Sequence, residues 1–563
     1  MYSLFTLPLL LGGSFAANAN YCPLLGPAFP APTEIGTDPT FLAATENLTA
    51  TFTEGIHSGE YSGDSIAIQI FSGNDAYSAY TLSHTDSSIR NGSIGVQEVD
   101  EDTVFRIGSI SKLWTMLLYM TFNGTRYFEE PISKYVPELR SRLNQTQRNI
   151  QINKVNWDEV TIGELASHQA GIPRDYAFMD LAFNANPVLT AEGLPMLNKT
   201  EHPACGSTSP CNRKQFFDGL LDLHPLAPTS STPIYSNAGY QILGYALETI
   251  AQKPYHELLM ERIIKPLNLT RSSYDIPHPH VAIVPSTLAT SGFNLSIGDA
   301  GPAGGLYSSA KDLATLGRAI LAHTLVDPAM TRRWMKPATH TASLQFSVGH
   351  PWEIVSFDDP RLMDLYTKSG DIGEYSAVIA LSPDHNIGFT VLTAGPSSSS
   401  TSQIIAEKIA DKMLPTFEKI AENQARQRFA GTYALKDGVS NSSISIVADN
   451  GPGLKITEWI SNSVDMSQVF VKNLQLTDSS LLSMRLQPTS LEGPNRASFS
   501  AVIQGLNAKK GRGAILSACQ TWLTMDSFIY GNVGMPEFEF NMNGAGEVEG
   551  LTPRALRFTL PKV

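Results

Sequence analysis

The longest apolar run follows Ser109 in "VFRIGSISKLWTMLLYMTF", Val104 to Phe122, where hydrophobic residues occupy nearly every side of a helical wheel. Such a run predicts a central helix packed all round, stopped by Asn123-Gly124. A short helix is expected from about Ile162 to His168, ended by Gly171 and Pro173. In "SNAGYQILGYALETIAQ", Ser236 or Asn237 can cap an apolar stripe of Ile242, Leu243, Ala246, Leu247 and Ile250. Further helices are expected between Pro254 and Pro266 and from Ser308.

The period then changes. Strands are expected near Leu365 to Lys368, Tyr375 to Leu381 and Ile387 to Thr393, with Ser382 to Asn386 turning the last two into a hairpin. The serines from Ser397 to Ser400 read as a hinge ahead of an amphipathic helix. After about Phe429 short alternating stretches such as "SISIVAD", "GLKITEWI" and "ASFSAVIQG" argue for a separate antiparallel β domain, sandwich or barrel-like. Residues 176–232, rich in Pro, Asn, Ser and Thr, read as a long irregular insertion. The expected organisation is a signal peptide over 1–19, a catalytic domain over 20–425 and a β domain over 429–563.

Composition narrows the class. Hydrophobic residues make up 42% of the 563 positions and charged residues 17%, enough for a substantial core. A net charge of -13 with no basic run speaks against nucleic acid or an anionic membrane as partner. The apolar stretch from Leu4 to Leu11, followed by Ala17-Asn18-Ala19, has the form of a secretory signal with its cleavage site. No later stretch reaches the length of a membrane span, so the expectation is a secreted protein; its oligomeric state is left open. Cys205 and Cys211 bracket a short turn, which leaves Cys22 for Cys519; a reduced, buried pair is the alternative. Glycosylation sequons stand at Asn47, Asn91, Asn123, Asn144, Asn198, Asn268, Asn294 and Asn441.

Three short motifs carry chemistry. Ser109 and Lys112 stand three apart and share one face of a first helical turn, where the helix N-terminus stabilises negative charge on the serine oxygen. A buried ammonium has a lowered pKa and can serve as a base or steer another. Tyr235-Ser236-Asn237 offers a phenol and a carboxamide at a helix start; alone it would read as a cap with a core tyrosine. Lys368-Ser369-Gly370 ends a predicted strand with a cation and a glycine that admits a ligand to the backbone. His278 and His280 lack a zinc-site pattern, and no metal or cofactor is expected.

In this order the three motifs resemble those of the serine β-lactamase and penicillin-binding-protein superfamily, nearest its class C β-lactamase-related branch. The segments "TIGELASHQAGIP", "IIKPLNLTRSSY" and "PAGGLYSSAKDLA" are similar to further stretches of that family, and the likeness covers about Thr53 to Ile409. The resemblance implies an α+β fold, an antiparallel sheet flanked by helices plus a helical subdomain, followed here by the smaller all-β domain. It also implies Ser109 as nucleophile, Lys112 as its hydrogen-bonded partner and Tyr235 as general base and acid. Asn237 would orient Lys112 and the substrate, and Lys368 would support Tyr235. Ser369, Gly370 and Asp371 would bind substrate, the N–H groups of Ser109 and Asp371 forming the oxyanion hole.

Asp371 stands where the family usually has a small residue, and Glu374 follows, so a β-lactam carboxylate should be repelled. The implied function is a secreted serine hydrolase of an ester or amide. An acyltransferase or product-releasing hydrolase of secondary metabolism, and a non-catalytic binding protein, are the alternatives.

Overall fold

The computed structural model describes residues 21–122, 124–140, 152–184, 186–206, 209–358, 360–435, 441–506 and 519–563. The expected signal peptide and the sequons at Asn123 and Asn144 lie outside the described residues. The chain divides into two compact units, Thr33–Phe417 and a second comprising the described residues up to Pro32 together with Glu418–Val563. The expected α+β architecture with a separate C-terminal sheet is what the chain forms.

In the larger unit eight antiparallel strands follow the order β2-β1-β10-β9-β8-β7-β6-β5. These are β1 Ser65–Ser72, β2 Tyr80–His84, β5 Thr339–His340, β6 Phe346–Val348, β7 Glu353–Phe357, β8 Met363–Ile372, β9 Tyr375–Ser382 and β10 Ile387–Ala394. A separate pair joins β3, Val104–Arg106, to β4, Tyr307–Ser309. Every residue of β1, β9 and β10 is buried, as expected of central strands covered on both faces. On one face Gly317 of the helix Ala310–Leu321 lies close against Phe71 and Leu381. On the other, the Ser376 and Ser402 hydroxyls lie 2.7 Å apart, tying β9 to the helix Ser398–Phe429.

The run after Ser109 is wholly buried from Ser111 to Met120, as its all-round apolarity requires, and forms the helix Ser111–Thr121. It does not begin as expected. Val104–Arg106 is strand, and Ser109 lies in a single 3-10 turn, Gly108–Ile110, ahead of the helix. The supposed serine hinge is likewise not a hinge, since Ser398 to Ser400 are the first residues of the long helix. The region read as irregular contains the helix Arg213–Leu220, opened by a reciprocal Asn212 and Gln215 capping box and burying Phe216, Phe217 and Leu220.

The smaller unit is a nine-stranded antiparallel sheet. Its first and last strands meet where Tyr433 bridges Lys562 and the Val563 N–H donates to the Thr432 carbonyl at 2.9 Å. The sheet therefore curls toward barrel closure, leaving fewer open edges. Trp459, Phe499, Phe538 and Phe540 fill its core. Disulfides join Cys22 to Cys519 and Cys205 to Cys211. Residues up to Pro32, placed with the larger domain by the sequence reading, belong to this unit because Cys22 is covalently held there and Phe29 enters its core.

Candidate active site

Four distant segments of the larger unit converge on Ser109. Its 3-10 turn begins at Gly108 (φ +46°), where a Cβ would come within 2.6 Å of the Asp371 nitrogen. From the facing strand, a Cβ on Gly370 would lie 2.2 Å from the Ile107 carbonyl oxygen and 2.5 Å from the Ser109 nitrogen. Two glycines thus allow the backbone around Ser109 and that around Asp371 to meet. Among the described residues β7 pairs β8 only from Met363 to Thr367, and just beyond Thr367 the Ser369 N–H and carbonyl are taken by Glu353 and Lys368.

Lys112 is fully buried, and among the described residues its ammonium has no carboxylate partner within hydrogen-bond reach. It donates to Ser109 Oγ at 3.0 Å, to Asn237 Oδ1 at 2.6 Å and to the Ala303 carbonyl at 2.7 Å. Burial is the largest influence on it and lowers its pKa; Lys368 adds to this, and Tyr235 opposes it. Asn237 occupies the first position of the helix Asn237–Ala251, whose N-cap Ser236 accepts from the Gly239 N–H. The carboxamide is held from its other end, because Nδ2 donates to both oxygens of Asp175 at 3.0 and 3.2 Å.

The Tyr235 hydroxyl lies 2.6 Å from Ser109 Oγ. Its ring is surrounded by cations, with Lys112 4.7 Å, Arg174 4.8 Å and Lys368 5.6 Å from the centroid. Burial raises the phenol's pKa, but the charges of Lys112 and Lys368 and its hydrogen bonds outweigh that, leaving it below the ordinary tyrosine value. His168 stacks on the same ring at 4.4 Å and accepts the Ser236 N–H at Nδ1. Burial, reinforced by Lys112 and Lys368, holds this imidazole well below its usual pKa, so it is a neutral support.

Lys368 is also buried, but its ammonium is paired with Glu353 and donates to the Ser369 carbonyl at 2.7 Å. Burial lowers its pKa, and Glu353, Tyr235 and Asp371 more than compensate, so the net shift is upward. Glu353 also accepts the Ser369 N–H and hydroxyl, each at 2.8 Å. Asp371 is exposed, and Glu374 accepts from the Ser286 hydroxyl at 2.5 Å.

All eight catalytic and substrate-binding positions expected from the sequence therefore meet in one site. Glu353 and Asp175 were missed. Neither stands in a recognisable motif; Glu353 enters through the register that sets it opposite Thr367, and Asp175 through a contact 62 residues away in sequence. The six described sequon asparagines, Asn47, Asn91, Asn198, Asn268, Asn294 and Asn441, are all exposed and away from these residues in sequence.

The chain is 28% identical to a "Beta-lactamase-like protein" of Arthroderma benhamiae, over 97% of this chain and 96% of that one. It is 25% identical to "Probable hydrolase clz13" of Cochliobolus lunatus, over 81% of this chain and 77% of that one. The solved structure "A class C beta-lactamase" aligns with a TM-score of 0.46 at 16% identity, covering 66% of this chain and 96% of that one. The model "Beta-lactamase-like-like, C-terminal domain" matches residues 421–563. The model "Beta-lactamase" matches residues 76–413, more than half of the chain, and this protein belongs to the Beta-lactamase family.

Proposed function

We propose that the protein is a serine hydrolase that cleaves an ester or amide through an acyl-enzyme on Ser109. The observation that carries this reading is Ser109 Oγ held between the Lys112 ammonium at 3.0 Å and the Tyr235 hydroxyl at 2.6 Å. Tyr235, as phenolate beside two ammonium groups, accepts the serine proton as Ser109 Oγ attacks the substrate carbonyl carbon. The carbonyl oxygen becomes an oxyanion facing the N–H groups of Ser109 and Asp371. The bond to the leaving oxygen or nitrogen then breaks, and Tyr235 returns the proton to that atom. In the second half Tyr235 takes a proton from water, hydroxide attacks the acyl carbon, and the acid departs as Ser109 Oγ regains the proton.

Lys112 stays charged through the cycle, steering the Tyr235 proton, while Asn237 and Asp175 fix the position of Lys112. The exposed Asp371 carboxylate at the mouth argues against substrates with a carboxylate beside the scissile bond, β-lactams included. The two disulfides and six exposed sequons support an exported glycoprotein, and no helix among the described residues is long and apolar enough to cross a membrane. The decisive test is a panel of short-chain esters and D-amino-acid amides on wild type and Ser109→Ala. At least one substrate should be hydrolysed, with kcat/KM falling about ten-thousandfold or more in the variant. Undiminished activity in Ser109→Ala would overturn the mechanism, and efficient nitrocefin turnover would overturn the exclusion of β-lactams.

A further inference from the structure

A groove of about 1150 Å³ opens at Tyr235 and Ser369 and continues between the sheet and the helix Ser398–Phe429. The register explains its floor. Side chains alternate along a strand, so Ser369 and Leu365 share one face of β8 while Lys368 points to the opposite face, toward Tyr235. Direct cross-strand pairing puts Val355 beside Leu365 and Val378 beside Ser369, and Phe389 lies on the same face of β10. The helix contributes the other wall through residues spaced by three and four, with Ala406 and Ala410 leaving room and Leu414 closing the far end. The floor is apolar at Val355, Leu365, Val378 and Phe389 and hydroxylated at Thr367 and Ser369, and it reaches the site at Tyr235.

Two features orient the occupant. Tyr235, which hands the proton to the leaving group in the mechanism above, lines the groove, whereas Asn237 and Asp371 do not. Charge is the other. Asp358, Glu407 and Asp411 line the groove in addition to the paired Glu353, and among the described residues its lining includes neither Lys nor Arg. A carboxylate-ended chain would meet like charge there.

Resting on that reading of Ser109 and Tyr235, we propose that the groove selects the leaving group, and that the substrate is an ester of a long, apolar, uncharged alcohol. From Ser369 to Leu365 the strand spans about 13 Å of floor, and Val355, Leu365, Val378 and Phe389 around it offer apolar contacts to an extended alkyl or terpenoid-like chain. Specificity would then reside in the alcohol and much less in the acyl group.

The test compares two ester series on the full-length protein: acetates of alcohols from ethanol to decanol, and ethyl esters of acids from acetic to decanoic. kcat/KM should rise on the order of twofold per methylene along the alcohol series until the groove is filled. It should change little along the acyl series, and a terminal carboxylate on the alcohol chain should cost at least about tenfold. Ala406→Phe, which narrows the helix wall, and Val355→Asp, which charges the floor, should each flatten the alcohol series while leaving ethyl acetate hydrolysis as it was. A flat alcohol series, or an equal rise along the acyl series, overturns the groove assignment while Ser109-dependent hydrolysis stands. Activity independent of Ser109 overturns the mechanism beneath it instead. If none of the esters is turned over, n-decanol binding to Ser109→Ala is measured by calorimetry. Saturable binding weakened by Val355→Asp supports the groove, and no binding overturns it.

Discussion

Lys112 in the larger unit and Arg485 in the smaller are both buried, and the two are held differently. In the smaller unit Arg485 is buried, and its guanidinium pairs with Asp449 at 2.8 Å while also donating to the Gly453 carbonyl at 3.0 Å. Asp449 is stabilised in its charged form, its pKa being lowered by Arg485 against the opposing effect of burial. In the larger unit Lys112 is equally buried but donates to a hydroxyl, a carboxamide and a carbonyl and lies against Tyr235. A guanidinium closed by a carboxylate is a fixed structural charge. An ammonium held by neutral acceptors keeps a charge that neighbouring groups can use, at the cost of its desolvation.

That contrast is sharpest in Lys112→Met. Activity on the best ester should fall on the order of a thousandfold, while urea unfolding should show no loss of stability, because an apolar side chain replaces a poorly compensated buried charge. A variant that unfolds readily but works normally when folded would reverse the assignment. Arg485→Met should do the opposite. Removing the guanidinium leaves Asp449 with Lys455 at 3.6 Å and the Gly451 N–H and strips the Gly453 carbonyl of its donor, and should cost about 1–2 kcal/mol in denaturant unfolding, with kcat/KM per folded molecule unchanged.

The smallest effect concerns Lys368, which combines both modes, being paired with Glu353 yet facing Tyr235. The Tyr235 pKa is lowered partly by the Lys368 charge, so activity that needs the phenolate is lost as pH falls through that lowered value. In Lys368→Met the phenolate loses a cation and gains an unpaired Glu353 carboxylate nearby, both of which raise the phenol pKa. The acid limb of the kcat/KM profile should move to higher pH by about one unit. An unmoved limb would mean that Lys368 only anchors Glu353 and Ser369.

The strands differ between the units in a way that decided how readable each was. In the smaller unit Leu454–Ser461 and Glu537–Met542 alternate between core and surface, and that period of two is visible in the letters. In the larger unit β1 is buried on both faces, so the alternation of Ile66, Ile68 and Ile70 with Ser65, Ala67 and Gln69 in "SIAIQIFS" does not mark a core and a surface side, and the sequence reading assigned it no strand. The serines at 398–400 misled for a related reason. Ser402 pairs with Ser376 and Thr393 donates to the Ser398 carbonyl, tertiary contacts that hold a polar helix start which composition alone reads as a hinge.

By itself the sequence determined which candidate groups stand close together along the chain. Ser109 and Lys112 stand in one turn, Tyr235 and Asn237 at one helix start, and Lys368 to Asp371 on one strand, so each cluster's geometry follows from local structure. Tertiary structure alone decided their electrical settings. Glu353 reaches Lys368 through strand register, Asp175 reaches Asn237 across 62 residues, and Gly108 meets Gly370 through backbone approach. The groove beside Tyr235 has the same origin, since its floor is drawn from four strands and its wall from a helix. The physical reason is range: spacing within a few residues is set by backbone geometry, whereas pairing, burial and pKa depend on groups that only the folded chain brings together.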